Sequence, residues 1–135
     1  MIPFVTVPEN SKTLIQLHFM IKTALITGAT SGIGKATATL LAQNNFKIVL
    51  CGRRKDRLEA LEKELSAFTA VHHLCFDVRD KKAVFESIGS LPEAFSDIDI
   101  LVNNAGNAHG LDSIQNGDMD DWDAMIDINV KGLLY

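Results

Sequence analysis

The residues able to do chemistry gather first in LITGATSGIGKAT, Leu25–Thr37, where Gly28, Gly32 and Gly34 follow a short apolar run and Lys35 follows the last glycine. Glycines in such a turn let backbone amides approach an anion, and two kinds of phosphate-binding turn compete for the pattern. A nucleoside-triphosphate loop reads G-x-x-x-x-G-K-[ST]. Counted back from Gly34-Lys35, its first glycine falls on Ala29, and Ala36 stands where a hydroxyl must reach magnesium. Those two residues exclude it. A dinucleotide turn instead needs glycines where the chain leaves a strand, comes close to a pyrophosphate and enters a helix. Gly28, Gly32 and Gly34 meet this as T-G-x-x-x-G-x-G, Thr30 and Ser31 add hydroxyl donors, and Ile33 counts among the candidate contacts. An ordinary βα turn is the rival reading, weakened by the strand and helix that flank this one. Lys35 reads as a solvated surface residue.

A second cluster follows the next apolar run. There a protein that binds NAD offers an acid to the adenosine ribose, whereas this chain has CGRRKDR, with Arg53 and Arg54 in that place. Guanidinium groups suit a 2'-phosphate, which favours NADP. The alternative is a solvated basic helix start, but two cations there oppose the helix dipole and make an anionic partner more attractive. HHLC, His72–Cys75, has a faint look of a metal site. It lies in an alternating stretch that sends His72 and His73 to opposite faces, so it reads as a strand and no metal is expected. Cys51 and Cys75 have neither the density nor the spacing of a disulfide framework, which fits a reducing cytoplasm.

These residues require elements to hold them. Thr23–Ile26 is a short apolar run ending in the glycine turn, as a buried parallel strand does. A helix is expected over 33–44 with Ala36, Leu40 and Leu41 at core spacing, then a strand in FKIVLC. Leu58, Leu61 and Leu65 share one face of a helix over 54–65. AVHHLCF is a third strand, 81–88 a third helix and IDILVN a fourth strand. The fourth helix begins near Met119, capped by Asp118, with Asp120, Asp121 and Asp123 at its positive end. Its apolar stripe is Trp122, Ile126, Val130 and Leu133. Strands alternating with helices imply right-handed βαβ units and a doubly wound parallel sheet of Rossmann type, with about four strands and four helices.

The 135 residues suffice for one domain with a core, and 47% apolar with 22% charged residues is ordinary for a globular chain. A net charge of -4 speaks against a nucleic-acid partner, and no run approaches the length of a membrane span. Residues 1–19, with two prolines in MIPFVTVPEN, read as an appendage outside the fold, which then covers 20–135; an extra helix over 13–19 is the alternative. The start lacks the basic residues and cleavage site of a signal peptide. The sequence stops at Tyr135 inside the fourth helix with no capping signal, and the fourth strand leaves an apolar edge, so the front part of a larger domain is expected.

TGATSGIG, NNAG (Asn103–Gly106) and the asparagine of DINVKG, in this order and spacing, resemble the short-chain dehydrogenase/reductase family. CGRRKDRLEALEKEL, FDVRD and DWDAMIDINVKGLLY are similar to its NADP-dependent branch acting on serine and related 3-hydroxy acids. The resemblance implies that Asp77 bonds the adenine amino group and Val78 flanks the ring. It implies that Asn103, Asn104, Ala105 and Gly106 line the cofactor, and that Asn129 holds a water in the proton relay. It also implies a homo-oligomer, a tetramer in the family. Each residue has a plainer rival: Asp77 could begin a turn, NNAG could be a strand end, and Asn129 could make a structural hydrogen bond. His109 reads as loop surface. The family's serine and Y-x-x-x-K lie beyond Tyr135, the sole tyrosine, which no lysine follows. The expected function is therefore hydride transfer between the nicotinamide and a secondary alcohol or ketone in the complete protein, with a small-molecule substrate. The alternative is a non-catalytic NADP-binding fragment.

Overall fold

The computed structural model describes residues 22–110 and 112–135; the appendage expected over 1–19 and a fold start at Met20 lie outside the described residues. In chain order the elements are β1 (Thr23–Thr27), α1 (Gly32–Gln43), β2 (Lys47–Gly52), α2 (Lys55–Leu65) and β3 (Val71–Cys75). They continue as α3 (Lys81–Gly89), the short α4 (Glu93–Ser96), β4 (Ile100–Val102) and α5 (Met119–Ile126). A wide π turn, Asp127–Lys131, joins α5 to α6, Gly132–Leu134. The strands form one parallel sheet in the order β3-β2-β1-β4. Chain direction across the sheet reverses between β3 and β4, so a crevice opens at the carboxyl ends of β1 and β4, where such sheets bind ligands.

β1 is buried along its whole length, TALIT, because helices cover both faces of the sheet. Alternation splits its side chains. Ala24 and Ile26 join Ile48 and Leu50 under Ala38 and Ala42 of α1 and Leu58, Leu61 and Leu65 of α2. Leu25, Val49 and Cys51 join Leu74, Phe76, Val84 and Ile128 on the other face. The histidines obey the same rule. His73 Nδ1 lies 2.7 Å from Glu62 Oε2 on the α2 side, while the ring of His72 stands 5.6 Å from that of Phe95 on the other.

Two expectations about helix faces fail. Ala36 and Leu40 of α1 are exposed, and Gly34, Ala38 and Ala42 face the sheet instead, with Leu41 partly buried. Small residues take the contact because α1 leaves β1 so directly that its first turn lies against the strand end. The stripe of the last helix also points outward: Ile126, Val130 and Leu133 are exposed, and Ile128 is the buried side chain. This helix docks through Ile128 and through Gly132, where a Cβ would come within 2.8 Å of Val78 Cγ2. The predicted cap does form, Asp118 Oδ1 accepting from the Asp120 N–H at 2.9 Å. α4, four residues after Pro92, gives too short a pattern to read from sequence.

Leu50 is fully buried between the sheet and α2. Leu50→Ala is expected to lower the unfolding free energy by about 2–5 kcal/mol, read from urea denaturation. A loss below about 1 kcal/mol would show that this layer is not the tightly packed core described.

Candidate functional site

The crevice at the strand ends is a cleft of about 760 Å³. Its wall is the glycine turn. Gly28 has φ +64° and Gly32 φ +54°, the left-handed region that favours glycine. A Cβ on Gly28 would lie 2.9 Å from the Ala105 Cα, so the NNAG loop can close on the turn only at a glycine. Gly34 serves packing from behind: a Cβ there would stand 2.5 Å from the Gly28 carbonyl oxygen and collide with the Asn104 side-chain amide. Ser31 is the N-cap of α1 but makes no capping bond through its side chain, and the first turn of α1 carries no acid. The amide end of α1, which borders the cleft at Ser31, Gly32 and Ile33, thus carries no acidic side chain of its own.

NNAG is bolted to that turn. Thr27 Oγ1 accepts from the backbone N–H groups of Asn104 and Ala105, each at 3.0 Å. Asn104 Nδ2 donates to the carbonyls of Thr27 at 3.0 Å and Gly28 at 3.2 Å. The Asn104 side chain is thus spent on architecture. Asn129 is spent in a related way. Its Oδ1 accepts from the Asn107 N–H at 3.1 Å and its Nδ2 donates to the Asn107 carbonyl at 2.7 Å, so the amide pairs with backbone as a neighbouring strand would. A Cβ on Gly106 would lie 2.6 Å from Asn129 Oδ1.

The other end of the cleft is cationic. Arg54, N-cap of α2, turns back so that Nη2 donates to Thr30 Oγ1 at 2.7 Å and to Ser31 Oγ at 3.0 Å. Arg53 Nη1 reaches Asp77 Oδ2 at 3.4 Å, and Arg79 Nη2 reaches the same oxygen at 2.7 Å. Partial burial pushes the Asp77 carboxyl up, but hydrogen bonds from Arg79 with the charges of Arg79 and Arg53 outweigh it and hold the group below its ordinary value. Lys35 pairs with Glu64 of α2 at 2.9 Å and does not line the cleft.

Gly28, Thr30, Ser31, Gly32, Ile33, Arg53, Arg54, Asp77, Val78, Asn104, Ala105 and Gly106 all line this one cleft. Gly34 lies behind it, Asn103 borders a smaller recess with Thr27 and Gly132, and Asn129 stands beside the loop. Gly52, Phe76 and Ile128 also line the cleft; they lie inside CGRRKDR, FDVRD and DINVKG but were not singled out, each directly preceding a residue that was. His109 is exposed, its Nε2 2.7 Å from Asn107 Nδ2.

Because the folded Asp77 titrates below the unfolded one, its ion pair contributes fully above the unfolded value of 3.8 and is lost as pH falls through the lower folded one. Asp77→Asn should therefore flatten the acid limb of stability. Urea denaturation between about pH 5 and pH 2 is expected to show a smaller loss than in the wild type, and identical slopes would refute the assignment.

The family described as short chain dehydrogenase matches residues 22–135. The chain is 47% identical over 112 residues to a serine 3-dehydrogenase of Rhizobium radiobacter, an alignment covering 83% of this chain and 44% of that protein. It is 50% identical over 110 residues to sulfoacetaldehyde reductase 2 of Chromohalobacter salexigens, covering 82% and 44%. It is 45% identical to an NADP-dependent 3-hydroxy acid dehydrogenase of Salmonella typhi, covering 82% and 44%. The chain thus spans less than half the length of these curated relatives. Among solved structures, the closed form of a serine dehydrogenase complexed with NADP+ superposes with a TM-score of 0.77 at 42% identity, over 84% of this chain and 45% of that one. With the match running over residues 22–135, the chain belongs to the short chain dehydrogenase family.

Proposed function

We propose that the complete protein is an NADP-dependent oxidoreductase acting on a secondary alcohol or ketone, with small 3-hydroxy acids such as serine as its substrate class. The observation that carries the cofactor half is the cationic end of the cleft. Arg53 and Arg54 stand where β2 ends, and Arg54 already holds the hydroxyls of Thr30 and Ser31 at the amide end of α1. Relatives named serine 3-dehydrogenase and NADP-dependent 3-hydroxy acid dehydrogenase support both halves of the reading.

The residues present fit a dinucleotide. Gly28 and Gly32 keep the turn free of side chains, and the α1 amides with Thr30 and Ser31 offer donors to a pyrophosphate. Arg53 and Arg54 offer a fork to a 2'-phosphate, Asp77 an acceptor to the adenine amino group, and Val78 an apolar side to its ring. Asn103, Asn104, Ala105 and Gly106 form or support the wall at the other end, Asn104 through its ties to Thr27 and Gly28. The nicotinamide, when bound, supplies the hydride chemistry. Asn129 contributes an amide held in place by Asn107. Each end of that amide keeps one unused hydrogen-bonding position, and there a relay water would bind. The serine and Y-x-x-x-K that move the hydroxyl proton would have to follow Tyr135, and a complete protein without them would be the non-catalytic binder instead. The outward row Ile126, Val130 and Leu133 supports a homo-oligomer, and the two free cysteines, Cys51 buried and Cys75 exposed, support a cytoplasmic setting.

Replacing Arg53 and Arg54 together by alanine in the complete protein is expected to cost NADPH about 1–3 kcal/mol of binding while sparing NADH. The ratio of kcat/KM for the two cofactors should then fall about ten- to hundredfold. An unchanged ratio would overturn the cofactor reading.

A further inference from the structure

Asp77 is an acid at the cationic end of the cleft. A carboxylate there opposes a 2'-phosphate twice over, by repelling it and by competing for Arg53. The structure shows what blunts both effects. Arg79 Nε lies 3.1 Å from each carboxylate oxygen of Asp77, its Nη2 lies 2.7 Å from Oδ2, and its backbone N–H donates to Oδ1 at 3.0 Å. Arg53, by contrast, touches only Oδ2, at 3.4 Å, beyond the ordinary range of a hydrogen bond. Arg79 does not line the cleft and grips Asp77 from behind.

We propose that Arg79 is a specificity-determining positioning residue: by occupying the Asp77 carboxylate it leaves Arg53 available to a 2'-phosphate that Arg79 itself never touches. The inference rests on the NADP reading above. Without Arg79 the carboxylate becomes an unpaired charge beside the phosphate position, and Arg53 is its nearest replacement partner, able to form the two-pronged pair that Arg79 now makes. The preference for a phosphorylated ribose would fall with no contact to the phosphate removed. A rival role for Arg79, holding Asp77 in place for the adenine amino group, predicts something different. Adenine is common to both cofactors, so its loss would weaken both alike.

The test is calorimetric titration of the complete protein with adenosine 2',5'-bisphosphate and with 5'-AMP, neither of which requires turnover. Arg79→Met is expected to weaken the bisphosphate about tenfold and 5'-AMP less than about twofold. Arg79→Lys keeps the charge and should recover part of the loss. In an Arg53→Ala background, Arg79→Met should cost little more, because Arg53 is the residue through which Arg79 acts. Equal weakening of both ligands, no weakening of either, or an undiminished tenfold loss without Arg53 would each overturn the proposal. A wild type that binds both ligands equally would remove the cofactor reading and this inference together. A wild type that prefers the bisphosphate while Arg79→Met keeps that preference would remove the inference alone.

Discussion

The hydroxyl of Thr27 is the point on which the cleft depends. It closes the end of β1 by accepting the amides of Asn104 and Ala105, while Asn104 returns two hydrogen bonds to the carbonyls of Thr27 and Gly28. Two loops that leave adjacent strands, β1 and β4, are thereby joined where the sheet would otherwise splay. Backbone groups at strand ends have lost their ladder partners, and burying them unpaired is costly. Thr27 and Asn104 satisfy four of them at one place. The glycines follow from this closure: Gly28 and Gly34 are small because Ala105 and Asn104 approach them at contact distance.

From that closure the cleft acquires a polarity. Its wall beside NNAG is made of backbone and small side chains, held in place by Asn104 on one side and by the Asn129–Asn107 pair on the other. Its far end is built from charged side chains, Arg53 and Arg54 beyond β2 and Asp77 beyond β3, with Arg79 paired to Asp77. The rigid end suits a ring that must be placed for reaction, and the charged end suits recognition of an anion by groups that can rearrange around it. The wide turn at Asp127–Lys131 belongs to the rigid end, since it lies where Ile128 enters the core and Asn129 reaches the loop. Such turns are costly in a helix and recur where a side chain must be aimed.

Much of this was legible in the order of residues. The glycine turn, the four strands, the leucine face of α2 and the opposed histidines each rest on a local period or a local spacing. So do the Asp118 cap and the grouping of most site residues. What was not legible depends on which neighbour an element meets. Leu40 and the Ile126–Val130–Leu133 row have helical spacing, and a period says that a face is apolar without saying what covers it. α1 meets the sheet through Ala38 and Ala42, and the last helix meets Val78, just beyond β3, through Gly132; such small residues carry almost no hydrophobic signal.

The sequence by itself determined the class of fold, the glycine turn and the pair of arginines beyond β2, because strand period, helix period and glycine spacing act within a dozen residues. It also carried the family, since TGATSGIG and NNAG stand in order along the chain. Only the tertiary structure decided that Asn104 is a fastener and that Arg54 reaches Thr30 and Ser31. It alone decided that Arg79 takes the Asp77 carboxylate ahead of Arg53. The first two are contacts between residues 23 and more positions apart, and the third is a competition between a near and a far partner for one oxygen. Pairings of that kind are set by where the parallel sheet brings its strand ends, which no local pattern contains.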